Sequence, residues 1–149
     1  MITALAILIG LSQSQPITPQ YQSELDQQSI AFMDEYFQHL SNRDVLDQFQ
    51  HDYAKYVNYF SKEEEVLRDK AAFIKRWPER NYRPRQNSIH VTCEMLYGEP
   101  VCAVNGLVDF KCRSPQRHAV STGTAYFYAY IWFGENYPEI IGEDSGVVR

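Results

Sequence analysis

The sequence predicts an α+β fold in which amphipathic helices precede an antiparallel β-sheet. The N-terminal half repeats apolar residues at helical spacing, whereas the C-terminal half alternates apolar and polar residues in long stretches separated by short turns. Long consecutive strands joined by short turns favour an antiparallel meander. With 149 residues and 44% hydrophobic content, the chain is expected to form one domain around one core.

Three helices and one short strand are predicted before the main sheet. The first helix has apolar residues at helical spacing: Ile30, Met33, Phe37 and Leu40. Ser29 is its predicted N-cap, and Asn42 is predicted to cap a shorter second helix. A β-branched and aromatic stretch from Tyr53 to Phe60 predicts a strand. The third helix is expected from Ser61 to Trp77, with acidic residues in its first turn and Pro78 at its end.

Four further strands complete the predicted order α-α-β-α-β-β-β-β. They are Ser88–Leu96, Glu99–Lys111, Ala119–Phe133 and Glu139–Val148. In the third of these, one face is expected to pack in the core: Ala125, Phe127, Ala129, Ile131 and Phe133.

The opposite face of that strand carries large rings: Tyr126, Tyr128, Tyr130 and Trp132. Such amphipathic rings on a sheet surface are typical of a contact with a partner, which could be a second copy of the chain. Cross-strand pairing that only stabilises the sheet is the alternative. We therefore take these four residues as candidates for a partner surface.

The first 14 residues are predicted to be a signal peptide. The apolar run from Ile2 to Leu11 is too short to span a bilayer but suits the apolar region of a signal peptide, and Ser12 and Ser14 could supply a cleavage site. No Lys or Arg precedes the run, so a buried strand and the end of a longer anchor remain alternatives. Residues 15–28 are predicted to be a linker, and residues 29–149 the domain. The expected location is periplasmic or secreted, with no stable membrane span.

Three cysteines agree with export. Tyr97 and Gly98 are a predicted two-residue hairpin turn, and counting outward from it places Cys93 opposite Cys102, where a cross-strand disulfide can form. Two buried reduced thiols are the alternative. Cys112 is then left over, and no Cys/His spacing suggests a metal site.

The charge pattern argues against nucleic acid as a partner. The net charge is -5, yet seven of the 14 Lys and Arg residues lie between Leu67 and Arg85. Helical phase places Lys70 in the middle of the apolar face of the third helix. Arg80, Arg83 and Arg85 follow in an extended segment, where they are candidates for contact with an acidic partner or ordinary solvated charges.

Several segments together resemble a known superfamily. They are YVNYF at 56–60, VLRDKAAFIKRWPERNY at 66–82, Cys93 with Cys102, VNGLVDF at 104–110, and the strand beginning STGTAYFYAY at Ser121. With the order of elements, they resemble an uncharacterised bacterial domain of the nuclear-transport-factor-two-like, or cystatin-like, superfamily, which is predicted to be exported or attached to envelope proteins. The resemblance implies a curved sheet wrapped around a long helix, with a central pocket. It implies no catalytic residues, since the superfamily hosts enzymes, transport factors and assembly domains.

Lys70, Tyr56 and Tyr59 are the candidates for lining such a pocket. Lys70 could bind a small anionic ligand, or its long stem could cross apolar surface and bring the ammonium group to a carboxylate at the rim. The four histidines lie in separate segments, and no nucleotide, metal or cofactor motif is present in the sequence. These observations favour a non-catalytic ligand-binding or protein-interaction module of the bacterial envelope. An isomerase- or dehydratase-type enzyme that uses the pocket is the alternative.

Overall fold

A computed structural model describes residues 17–41, 63–134 and 138–149, without the side chains of residues 63–67 and 69. These ranges contain two helices, α1 (Pro19–Ser41) and α2 (Glu63–Arg76), and five strands, β1 (Glu79–Pro84), β2 (His90–Leu96), β3 (Glu99–Ser114), β4 (Ala119–Phe133) and β5 (Pro138–Val147). Short 3-10 turns at Gln86–Ser88 and Pro115–Arg117 precede β2 and β4. The predicted α+β class, with an antiparallel sheet against a long helix, is confirmed.

Strand β3 organises the sheet. Its first half pairs with β2 and its second half with β1, so these two short strands share one side of it. Strand β4 pairs with β3 along its whole length, and β5 pairs with the outer side of β4. All pairings are antiparallel. The sheet therefore has one continuous inner face and one continuous outer face, because side chains alternate along every strand.

Helix α1 packs its apolar side against the inner face of the sheet. Leu25 and Met33 are almost fully buried with Val104 of β3 and Ile131 of β4. The ring of Phe37 meets that of Phe127 edge to face, with centroids 5.0 Å apart. The predicted core face of β4 is confirmed at Phe127, Ala129 and Ile131, which are all buried.

Helix α1 begins ten residues before the predicted N-cap. The polar sequence predicts a linker through Gln28, but the helix starts at Pro19, and Ser29 is buried inside it. The hydroxyl of Thr18 accepts a hydrogen bond from the Tyr21 amide, and proline is well suited to the first helical position. Only Leu25 in this polar segment is deeply buried, so the apolar periodicity there was too sparse to reveal the helix.

Strand β1 was predicted only as an extended segment. It pairs with β3 from Glu79 opposite Arg113 to Pro84 opposite Val108. Half of its six residues are charged, so the sequence lacks the alternation of apolar and polar residues that predicts a strand. The predicted second helix at Asn42, the Tyr53–Phe60 strand and the signal peptide lie outside the described residues. No helix in the described ranges is long and apolar enough to cross a membrane.

The disulfide between Cys93 and Cys102 is present. The two residues are directly opposite in the β2–β3 pair, with their Cα atoms 4.0 Å apart. Tyr97 and Gly98, which join the strands, have φ angles of 52° and 82°, as a tight hairpin turn requires. Cys112 is free and buried.

Candidate functional site

A cavity of about 600 Å³ lies between the two helices and the inner face of the sheet. Most of its wall is apolar, with contributions from Met33, Phe37, Ile74, Val108, Phe127 and Ala129. Its size and lining fall within the range of small-molecule pockets in proteins. The cavity is therefore the first candidate for a binding site.

Small residues on the inner face of β4 leave room for this cavity. Ser121, Ala125 and Ala129 line it, and the inward position between the first two is Gly123. A β-carbon on Gly123 would lie only 3.0 Å from the ring of Phe110, which covers that part of the strand. Ser121, Ala125 and Ala129 therefore take up little of the cavity volume, whereas Phe110 fills the space beside Gly123.

A charged cluster stands in the mostly apolar wall, which also includes Arg80 and Asp144. The ammonium Nζ of Lys70 lies 2.9 Å from Oε1 of Glu143, and the hydroxyl of Tyr36 donates a hydrogen bond of 2.8 Å to Oε2. The side chains of Lys70 and Glu143 are 29% and 16% exposed, so water still reaches the pair. Lys70, which the sequence placed on the inward side of its helix, therefore meets a carboxylate inside the cavity.

Three elements bring this cluster together. Tyr36 lies on the buried side of α1, beside Phe37, and is 3% exposed. Lys70 precedes the buried Ile74 by four residues, which places both on the same side of α2. Glu143 pairs with Ala129 in the sheet and so shares its inward direction.

A β-bulge explains why the sequence pattern did not indicate Glu143 as a cavity residue. Ile140 is fully buried, and simple alternation from it would turn Gly142 and Asp144 inward. The register between β4 and β5 shifts between Tyr130 and Ile131, and the shift reverses the direction of the following residues. Glu143 consequently faces the cavity. A run such as GEDSG carries no apolar residue that could have shown this from the sequence.

A second polar group at the cavity wall is electrically neutral. The Cys112 thiol donates a long hydrogen bond, 4.0 Å from sulfur to oxygen, to the Tyr82 hydroxyl. Burial is the largest cause that raises the pKa of Tyr82, and it also raises the pKa of Cys112. Both groups therefore stay protonated near neutral pH, and this thiol is poorly suited to act as a nucleophile.

Arg80 lies inside the protein, which corrects its prediction as a partner-surface residue. It is 5% exposed, and its guanidinium donates to the carbonyls of Leu40, Trp77 and Pro78 at distances of 2.8, 2.9 and 3.3 Å. Leu40 is in the last turn of α1, and Trp77 follows directly after α2. Arg80 thus satisfies carbonyl groups at the ends of both helices.

The other two arginines of this segment lie on the outer face of the sheet. Arg85 binds both carboxylate oxygens of Asp109, at 2.8 and 3.0 Å, and also contacts the hydroxyl of Thr124. The hydrogen bond from Arg85, followed by that from Thr124, lowers the pKa of Asp109. Arg83 is exposed and pairs with Asp109 in the sheet register. The partner contact expected of these two arginines stays a prediction, and Arg85 already has an ion-pair partner in Asp109.

The aromatic rings of β4 also lie on the outer face, where part of their surface contacts other residues of the sheet. Tyr126 packs across Gly146, and Trp132 donates its indole N–H to Glu99. The hydroxyls of Tyr128 and Tyr130 share a hydrogen bond of 3.4 Å, and this hydrogen bond raises the pKa of Tyr128. Tyr126 and Tyr130 are nevertheless each 44% exposed. Cross-strand packing therefore accounts for part of the surface of these rings and leaves the rest in contact with solvent.

Two of the predicted pocket residues, Tyr56 and Tyr59, lie outside the described residues. Within the described ranges, no three His, Cys, Asp or Glu side chains come together in a way that could hold a metal ion.

The chain is similar in structure to a crystallised protein of uncharacterised function. No protein-family model and no curated protein matches the sequence. An uncharacterised protein with a cystatin-like fold from Caulobacter vibrioides matches with a TM-score of 0.53 and 13% sequence identity, over 80% of this chain and 86% of the other. Identity at this level establishes the fold alone. The helix-and-sheet domain therefore has a cystatin-like fold.

Proposed function

We propose that the protein binds a small amphipathic molecule in its cavity without transforming it. The observation that carries the proposal is the combination of an apolar cavity of about 600 Å³ with one fixed polar cluster, Lys70, Glu143 and Tyr36. Apolar walls bury the body of such a ligand, while a few placed polar groups orient it.

The cluster indicates the chemistry of the polar end. Glu143 already neutralises Lys70, so a small anion of the kind expected from the sequence would have to compete with this carboxylate. A neutral hydroxyl or amide group fits better, because it can donate to Glu143 and accept from Lys70 without displacing either. We therefore infer a neutral, hydrogen-bonding head attached to an apolar body.

The cellular setting is part of the same proposal. A disulfide between two strands persists in oxidising compartments and is rare in the cytosol. Together with the apolar run at Ile2 to Leu11, this supports an exported protein of the bacterial envelope.

The proposal is tested by measuring how tightly the neutral fluorophore 1-aminoanthracene binds to variants in which part of the cavity is filled. Ala125→Leu adds apolar volume to the inner face of β4, and Val120→Leu adds volume on the outer face of the same strand, where Val120 is 60% exposed. We expect Ala125→Leu to weaken binding about tenfold or more, which corresponds to about 1.4 kcal/mol, and Val120→Leu to leave it unchanged.

Equal binding by both variants would show that the cavity is not the site. Ser121→Leu, which fills another part of the same wall, should also weaken binding and so shows that the effect is not limited to position 125. Native mass spectrometry of protein from its source cells then gives the mass of any retained ligand. Circular dichroism before each titration verifies that the variants are folded.

An isomerase- or dehydratase-type enzyme is the second candidate, and one observation favours it. The carboxylate of Glu143 faces the cavity beside the hydroxyl of Tyr36, so a proton acceptor and a hydrogen-bond donor stand at the same place. A retained ligand that is recovered chemically unchanged after incubation supports binding alone. Conversion that is lost in Glu143→Gln supports the enzyme instead.

A further inference from the structure

The outer face of the sheet is basic at one end. We define the basic end by the outward charges of β1, the second half of β3 and the residue after β1. They comprise four cations and two carboxylates: Arg83, Arg85, Lys111, Arg113, Glu79 and Asp109. Two ion pairs, Arg85 with Asp109 and Arg113 with Glu79, account for both carboxylates. The basic end therefore carries an excess of positive charge.

The opposite end of the same face is acidic. We define the acidic end by Glu94 of β2, Glu99 of β3, and Glu139 and Asp144 of β5. The sheet register places Glu94 and Glu139 in one row, with Val101 and Trp132 between them. The described outward residues of this end include no Lys or Arg.

Partly exposed tyrosines separate the two ends. Tyr126 is the next outward residue of β4 after Thr124, which contacts the basic end, and Tyr128 is the one after that. Tyr130 adjoins the row of Trp132. Tyr126 and Tyr130 are each 44% exposed. Such rings can bury a large area at little cost in side-chain entropy, and they are enriched at protein interfaces.

We propose that two copies of the chain associate through these outer faces in antiparallel orientation, with the basic end of each covering the acidic end of the other. A two-fold dimer brings the same patch of both subunits together, so the patch must be complementary to itself. Opposite charges at its two ends provide this complementarity. The tyrosines then meet near the two-fold axis.

A second copy fits this face better than a partner of uniform charge. A uniformly acidic partner would match the basic end and be repelled by the acidic end, and a uniformly basic partner would meet the reverse problem. The parallel arrangement of two copies would place like charges together at both ends. The inference does not rest on ligand binding, because it uses only the charges and rings of the outer face, of which Tyr128 and Asp144 also line the cavity.

Paired charge reversals test this geometry by sedimentation equilibrium. In the first variant, Arg83→Glu/Lys111→Glu makes both ends acidic, and in the second, Glu94→Lys/Glu99→Gln/Glu139→Lys makes both ends basic. Each variant alone should lose self-association, and an equimolar mixture should recover it as a heterodimer. Wild-type association should weaken as salt rises. Lys75→Glu makes the same kind of change on the exposed side of α2 and should have no effect.

Recovery on mixing separates a lost contact from a misfolded variant, because unfolded proteins cannot restore a specific dimer. A wild-type protein that stays monomeric up to its solubility limit would overturn the proposal. So would a dimer that persists in either variant alone, or the absence of recovery on mixing. A dimer insensitive to Tyr126→Ser/Tyr130→Ser would equally exclude this face as the interface.

Discussion

The carboxylate of Glu143 has a different partner on each oxygen. Lys70 compensates its charge through Oε1, while Tyr36 fixes its direction through Oε2. A half-buried carboxylate that loses an ionic partner retains its desolvation cost, so these residues are expected to act as a unit. Their joint role is to keep one polar contact in a fixed position within an apolar wall.

Asp109 provides a prediction about pH at the residue scale. Arg85 is the main cause of its lowered pKa, so Arg85→Gln should raise that pKa toward the usual value for aspartate. A carboxylate with a depressed pKa in the folded state contributes stability above its unfolded pKa and loses it as pH falls through the folded pKa. The difference in stability between wild type and Arg85→Gln should therefore vanish in acid.

Nuclear magnetic resonance titration of the Asp109 side-chain carboxyl measures this shift directly. Lys75→Gln, a loss of the same charge on α2, is the control and should leave the pKa of Asp109 in place. An unchanged pKa in Arg85→Gln would mean that the ion pair does not persist in solution.

At the scale of elements, Arg80 joins the ends of both helices to β1. Arg80→Met should lower the free energy of unfolding by about 3 kcal/mol, since one buried and two partly buried carbonyl groups lose a charged donor. Arg83→Met, three residues along and exposed, should change it by no more than about 0.5 kcal/mol. Urea denaturation measures both. Similar values for the two variants would contradict the structural role of Arg80.

The elements also show where local pattern is sufficient. The alternation in β4 predicted both of its faces, because every inward residue from Phe127 to Ile131 is apolar. In β1, by contrast, the inward residues are Arg80 and Tyr82, so alternation gave no apolar signal. The start of α1 was signalled only by Thr18 and Pro19, whose capping role becomes evident when the helix that follows is known.

At the scale of the whole molecule, the disulfide is expected to be a main source of stability. It closes a loop with a sequence separation of 9, for which the chain-entropy estimate is about 2.5 to 3 kcal/mol. Reduction should lower the free energy of unfolding by that amount. The free energy of unfolding of Cys93→Ala/Cys102→Ala should not change when reductant is added, because the remaining Cys112 is a free thiol with or without it. Alkylation of three thiols in the untreated, denatured protein would contradict the bond.

The sheet also separates two surfaces, which share only Tyr128 and Asp144 among the residues discussed for each. Its inner face carries the core and the cavity, while its outer face carries the tyrosines and the separated charges. Variants of Ala125 should therefore affect ligand binding without affecting self-association, and charge reversals on the outer face should do the opposite. The two proposals can fail separately.

The sequence by itself determined the α+β class, the pairing of Cys93 with Cys102 and the inward direction of Lys70. These features depend on local periodicity, on a tight turn and on helical phase, all of which act over a few residues. Only the tertiary structure decided that Arg80 is buried, that small residues of β4 leave a cavity, and that Glu143 meets Lys70. The physical reason is that each depends on how distant segments pack, and, for Glu143, on a bulge that changes which side of β5 faces the core.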